Sequence, residues 1–287
     1  VLGAILTANS TAGSNVVSVE WDGFEDHEVL TYFAAASNAT LGSQGTISTA
    51  TVQTAVTEVP MEAGEGFEAL EVVTVVAENS NADVELTDVY GAFTLDVAAG
   101  SNAWIDLANT EVTTVTVTAG DHVDIDVEGD TVGNGSLTTI TVESDTATIT
   151  LKDNVSSFET LDVSGVATDV YVDVSAADFD LGGTESVEYL IGATDTVTFV
   201  SNVDATEWFS FVGGDIGDVT IYDFATTNQT THDIINLSEL GVTNISQLNI
   251  DDNGVGGTDI TSAFFDGTIT LAGVNVADVE GGNFFFA

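Results

Sequence analysis

Short runs in which Val, Ile, Leu or Phe alternate with Thr or Asp recur along the chain at nearly even intervals. Examples are Val112-Thr-Thr-Val-Thr-Val-Thr118, Leu137-Thr-Thr-Ile-Thr-Val142, Ala147-Thr-Ile-Thr-Leu151 and Asp195-Thr-Val-Thr-Phe-Val200. β-branched residues in period two suit half-buried strands. Units beginning near Leu70, Tyr90, Val112, Thr138, Glu159, Ser186 and Trp208 lie 20 to 27 residues apart. Each reads as an apolar strand, a polar turn and a second strand. A repeat of that length predicts an all-β chain built as a β-solenoid, in which every coil buries its inward side chains against the next. Tandem β-sandwich domains are the alternative, since they use short strands at a similar spacing. Helical periodicity is weak; short helices are considered only near Glu25–Ala36 and Ser238–Leu240.

The repeat divides the chain into three parts. Residues 1–69 hold the only Pro and the only Met, Pro60 and Met61, and an Ala/Ser/Thr-rich stretch. They read as an N-terminal β region or assembly arm, and the apolar start Val1-Leu-Gly-Ala-Ile-Leu6 can pair within the chain or with a neighbour. Residues 70–212 are the repetitive body. Residues 213–287 differ in motif content.

Charge limits the partners. The chain has 47 Asp and Glu against one Lys and no Arg, a formal net charge of −46, yet 44% of its residues are hydrophobic. Disordered acidic tails lack such apolar content, so this chain folds against its own repulsion. Phosphate contacts require Lys and Arg, which argues against nucleic acid and anionic membrane surfaces as partners. No apolar run approaches the ~20 residues of a membrane span. With no Cys, disulfides and thiolate metal sites are excluded. Hard cations with oxygen ligands, Ca2+ above all, are the expected counterions.

Three acidic segments are candidate metal sites. In Asp121-His-Val-Asp124-Ile-Asp126-Val-Glu128-Gly-Asp130, strand alternation places Asp124, Asp126 and Glu128 on one face, with Asp130 following, and turns Val123, Ile125 and Val127 to the core. A solvated acidic face is the equal alternative. Asp251-Asp252-Asn253-Gly-Val-Gly-Gly-Thr-Asp259 combines three carboxylates with three glycines, like the first half of a calcium loop, but lacks the closing Glu. In Gly213-Gly-Asp215-Ile-Gly-Asp218-Val-Thr-Ile221, two glycines and Asp218 match the calcium-binding nonapeptide G-G-x-G-x-D-x-U-x, while Ile216 and Thr220 depart from it.

That nonapeptide is followed by Thr220-Ile-Tyr-Asp-Phe224, His232-Asp-Ile-Ile-Asn-Leu-Ser238, Gly267-Thr-Ile-Thr-Leu-Ala-Gly-Val274 and the terminal Asn283-Phe-Phe-Phe-Ala287. In order and spacing, residues 213–287 resemble the C-terminal domain of type I-secreted RTX (repeats-in-toxin) proteins, with Asn236 where the family commonly has Asp. The resemblance implies an uncleaved C-terminal export signal read by type I secretion machinery. It accounts for a start that has neither a basic signal region nor Met, for which removal of a leader is the alternative. It also implies a chain that stays unfolded where calcium is scarce and folds outside the cell. In composition the chain resembles calcium-dependent surface-layer proteins.

No catalytic constellation stands out. His27, His122 and His232 are scattered, and His27-Glu28 lacks the second His of a zinc motif. There is no nucleophile elbow and no phosphate-cradling loop. Trp21, Trp104 and Trp208 can stack on sugars, although a packed Trp is the commoner case. The sequence therefore leads to a non-enzymatic, extracellular structural protein that polymerises with itself, as a surface layer or matrix filament. Cell-surface polysaccharide is a further partner to consider. A carbohydrate-active enzyme or glycan-binding module is the alternative.

Overall fold

The computed structural model describes residues 93–287 apart from 109, 111, 129–136, 156, 179–185, 203, 204, 214 and 228–231. Before residue 93 it describes strand backbone only, with the side chains of Ala82 and Val84. Candidate ligand Asp130 lies outside the described residues; of the candidate helix Glu25–Ala36, Thr31–Ala34 is a strand instead and the rest lies outside them.

The chain is all-β, and among the described residues its coils stack as a parallel-strand β-solenoid. Each coil contributes one strand to each of two facing sheets. Sheet 1 stacks Phe93–Ala99, Val112–Ala119, the first half of Thr139–Asn154, the first half of Thr160–Asp178, Val187–Ile191, Glu207–Phe211, Ile234–Asn236 and Phe284–Phe285. Sheet 2 stacks Asn81–Thr87, Asn102–Ala108, His122–Glu128, the second halves of the two long strands, Thr196–Val200, Asp215–Tyr222 and Asp266–Ala272. Sequence units placed at Val112, Thr138, Glu159, Ser186 and Trp208 begin within one residue of sheet 1 strands. The stacking runs without a break across residue 213.

Period-two alternation produces this arrangement because only one face of each strand can reach the core. In sheet 1 the register brings Leu95, Val115, Ile140, Leu161, Tyr189, Phe209, Ile235 and Phe284 into one inward ladder. Sheet 2 answers with Val84, Ile105, Ile125, Ile149, Val172, Phe199, Ile221 and Leu271. All of them are buried. Burying one such side chain is worth about 1.5–3 kcal/mol.

Corners between the sheets are tight. A Cβ on Gly120 would stand 2.3 Å from the Gly100 carbonyl oxygen of the coil before. At Gly217, φ is +60° and a Cβ would stand 1.7 Å from the Thr194 oxygen. Threonines tie one corner to the next: the hydroxyl of Thr168 donates to the Asp145 oxygen at 2.6 Å, and that of Thr194 to the Val166 oxygen at 2.9 Å.

Sheet 2 ends differently from its body. After Ile234–Asn236 come two short 3-10 turns, Ser238–Leu240 and Ile245–Gln247. The hairpin Leu248–Asp252 and Gly257–Ser262 then lies antiparallel on Asp266–Ala272. Among the described residues no helix is long and apolar enough to cross a membrane.

Candidate functional site

The acidic strand 122–128 is laid out as its alternation predicts. Val123, Ile125 and Val127 are fully buried, and Asp124, Asp126 and Glu128 share the outward face. The coil before adds Asp106, in register with Asp126, and Trp104, in register with Asp124. Adjacent strands lie about 4.8 Å apart, so the outer face of sheet 2 stacks carboxylate on carboxylate. Lys152, in register with Glu128 on the next coil, sets its Nζ 2.9 and 2.7 Å from the two Asp126 oxygens. The only basic side chain besides histidine thus sits on the acidic ladder. Its hydrogen bond to Asp126 raises the ammonium pKa, with Asp126, Glu128 and Asp106 adding attraction. Both side chains are over a third exposed, so the pair is worth about 0–1 kcal/mol at most.

The 213–221 stretch leads from a corner into the sheet 2 strand Asp215–Tyr222. Gly213 and Gly217 have positive φ, and Asp218, exposed, opens the run on which Val219 and Ile221 turn inward. Asp215 is described as strand backbone only. The 251–259 segment is the tip of the terminal hairpin, the turn 253–256 with the strand ends beside it. Asp251 and Asp259 face each other across it in register. Asp251 accepts from Asn249 Nδ2 at 2.8 Å, and Asp259 from the Thr270 hydroxyl at 2.8 Å. Asp252 and Asn253 accept backbone N–H groups of the turn itself. The three acidic segments are held in separate coils. Among the described residues no group of three or more His, Asp or Glu side chains is gathered as a metal site.

A second cluster was not foreseen. Glu207 is completely buried on the inward face of its strand, and Asp233, just before Ile234–Asn236 and in phase with inward Ile235, is equally buried. The Tyr189 hydroxyl donates to Glu207 Oε1, and the Asn202 N–H donates to Oε2 at 2.9 Å. Asp233 Oδ1 accepts the Glu207 N–H at 3.0 Å and Oδ2 accepts the Ala225 N–H at 2.7 Å. Asn283 Nδ2 donates to the Asp233 carbonyl at 3.3 Å, which ties the last coil to the cluster. Burial pushes the Asp233 carboxyl up to about 7, against the pull of its two N–H donors. Burial, then the nearby Asp233 charge, pushes Glu207 well above the usual carboxylate range. Burial beside Glu207 likewise raises the Tyr189 phenol. The signal was present in the sequence: Glu207-Trp-Phe-Ser-Phe211 and Asp233-Ile-Ile-Asn-Leu237 alternate so that each acid shares a face with two apolar residues.

The aromatic residues divide. Trp208 packs its ring 5.4 Å from Phe285, so the apolar C-terminal run is docked on the solenoid. Trp104, Tyr171 and Tyr222 are exposed on the outward positions of sheet 2. A cleft of about 270 Å3 is lined by Asp223, Phe224, Thr226, Val274 and Asp278. Asp223 there is the one described non-glycine residue with positive φ.

No protein-family model, no curated protein and no solved structure matches the chain.

Proposed function

We propose that this is a secreted structural protein that assembles with copies of itself into an extracellular surface layer or matrix filament. In this reading Ca2+ bridges the acidic faces of neighbouring subunits, and the protein is not an enzyme. The observation that carries the reading is the outward carboxylate ladder of sheet 2, with Asp106 on Asp126 in register. Its one ammonium partner is Lys152. Stacked like charges repel unless a cation sits between them or water screens them. A pair such as Asp106 and Asp126, or Asp251 and Asp259, offers part of the six to eight oxygens that Ca2+ takes, and a second subunit's face would supply the rest. A rigid solenoid suits such assembly because it presents these groups at fixed spacing. Export by type I secretion machinery belongs to the same proposal and rests on the resemblance of residues 213–287.

The test is electron microscopy of the purified full chain in Ca2+, in EDTA and in KCl of matched ionic strength. Ordered sheets or filaments in Ca2+ alone are expected. Assemblies that persist in EDTA, or that form equally in KCl, would remove calcium from the proposal; monomers under every condition would remove assembly.

The exposed Trp104, Tyr171 and Tyr222 on the same outer face favour one second reading, a glycan-binding module that anchors the protein to cell-surface polysaccharide. Glycan binding lost on Trp104→Ala, with no polymer in Ca2+, would support it over the first.

A further inference from the structure

The turn between the two hairpin strands sets two N–H donors on one side-chain amide, that of Asn253, and a carboxylate on the peptide nitrogen that follows it. Its Oδ1 accepts two backbone N–H groups, from Val255 at 3.0 Å and from Gly257 at 2.9 Å. The next peptide nitrogen, that of Gly254, donates its N–H to Asp252 Oδ1 at 2.7 Å. Gly254 is exposed, has φ of +75° and has open space where a Cβ would be. At Gly257, by contrast, a Cβ would stand 2.8 Å from Asn253 Nδ2, so only glycine there leaves room for the amide.

These are the parts of an acyl-transfer site. The Asn253 Cγ is the electrophile and the Gly254 nitrogen the nucleophile. The two N–H donors polarise the carbonyl and stabilise negative charge developing on Oδ1, as in an oxyanion hole. The Asp252 carboxylate is placed to take the Gly254 proton as general base. No side chain at 254 obstructs closure of the ring.

We propose that Asn253 is a site of self-catalysed deamidation, in which the fold of the hairpin turn accelerates the reaction. The Gly254 nitrogen bonds to Asn253 Cγ and gives its proton to Asp252. The bond from Cγ to Nδ2 breaks, and the nitrogen leaves as ammonia with the proton returned. The resulting succinimide is opened by one water, giving aspartate or isoaspartate at 253. The turn gains one negative charge between Asp251, Asp252 and Asp259. The isoaspartate product also adds one backbone atom to the turn. This chemistry is independent of the assembly proposed above.

The test is intact and peptide mass spectrometry of the full chain, incubated at neutral pH and 37 °C, folded and in concentrated urea. Chain fragmentation that distinguishes aspartate from isoaspartate locates the product. A gain of one mass unit at residue 253 is expected about tenfold or more faster in the folded chain than in urea, because base and oxyanion donors are assembled only in the fold. Asp252→Ser should bring the folded rate down towards the urea rate. In H2-18O one labelled oxygen should enter per event, the mark of the ring-opening water. A folded rate equal to or below the urea rate overturns the proposal, since the turn would then be protecting Asn253. A folded Asp252→Ser chain that reacts as fast as the parent overturns the role given to the carboxylate.

Discussion

The coils from residue 93 to 174 and those from 187 to 236 share one backbone plan but fill it differently. The upstream ladders are almost wholly aliphatic: Leu95, Val115, Ile140 and Leu161 in sheet 1, with Ile105, Ile125, Ile149 and Val172 in sheet 2. Downstream, the same register positions carry Tyr189, Phe199 and Phe209, with ring centroids 5.0–5.3 Å apart, and Phe224 lies 6.2 Å from Phe209. Two buried carboxyls stand among them. Aliphatic rungs are nearly interchangeable, so little in one upstream coil distinguishes it from the next. The downstream coils contain groups that fit in one register only. Displacing Glu207 or Asp233 by a rung would strand a buried acid without its donors, a penalty of several kcal/mol. The downstream coils thus carry more groups that fit one register than the aliphatic core upstream does.

The largest contrast should appear on truncating the core. Phe209→Ala is expected to cost roughly 4 kcal/mol, through lost burial and a cavity that three neighbouring rings cannot fill. Ile125→Val upstream should cost about 1 kcal/mol. Denaturant unfolding followed by tryptophan fluorescence and by circular dichroism measures both. A Phe209→Ala cost no larger than that of Ile125→Val would mean that the ring cluster is not closely packed.

The next effect is pH dependence, and its sign follows from the raised carboxyls. Between the ordinary Asp value of 3.8 and about 7, folded Asp233 keeps a proton that the unfolded chain has released. Stability is therefore greatest at the acidic end and falls as pH rises through that window, by a few kcal/mol in total. Glu207, raised in the same direction, adds to the fall. Thermal melts from pH 4.5 to 8 should slope downward, and Asp233→Asn with Glu207→Gln should flatten the slope. An unchanged slope in that double variant would assign it to the surface acids instead.

Corners give a smaller and more local effect. Gly217→Ala, at φ +60° against the Thr194 oxygen, should cost roughly 2 kcal/mol or more. Gly213→Ala, at φ +101° with nothing within 4 Å, bears the backbone strain alone and should cost less. Comparing their melting temperatures separates close approach from conformation. Smallest of all is Lys152→Ala upstream, a loss under about 1 kcal/mol that shrinks further in salt.

What the sequence disclosed follows from these contrasts. The coil period and the inward faces were legible because alternation is a local signal: Val123, Ile125 and Val127 could be assigned without knowing their neighbours. The outward acids of strand 122–128 followed by the same rule. Lys152 as the partner of Asp126 was not legible, since that contact depends on the register between coils 26 residues apart. The buried acids run against the ordinary exposure of Glu and Asp. Their inward phase beside Phe209 and Ile235 was visible, but the donors that make burial tolerable come from Tyr189, Asn202 and Ala225. The hairpin that closes sheet 2 is hard to read because the carboxylates and glycines of 251–259 outweigh its short alternation.

Lys152 has one more consequence. It is the only Lys or Arg in the chain, so a trypsin-like protease has one peptide bond to cut, the one that follows it. That bond lies within Thr139–Asn154, a strand hydrogen-bonded to a neighbour on either side. A protease must take its target as a free extended segment, so cleavage there requires the coil to be peeled out of the stack. Leaving out basic residues removes nearly every trypsin-like target, and the fold shields the one that remains.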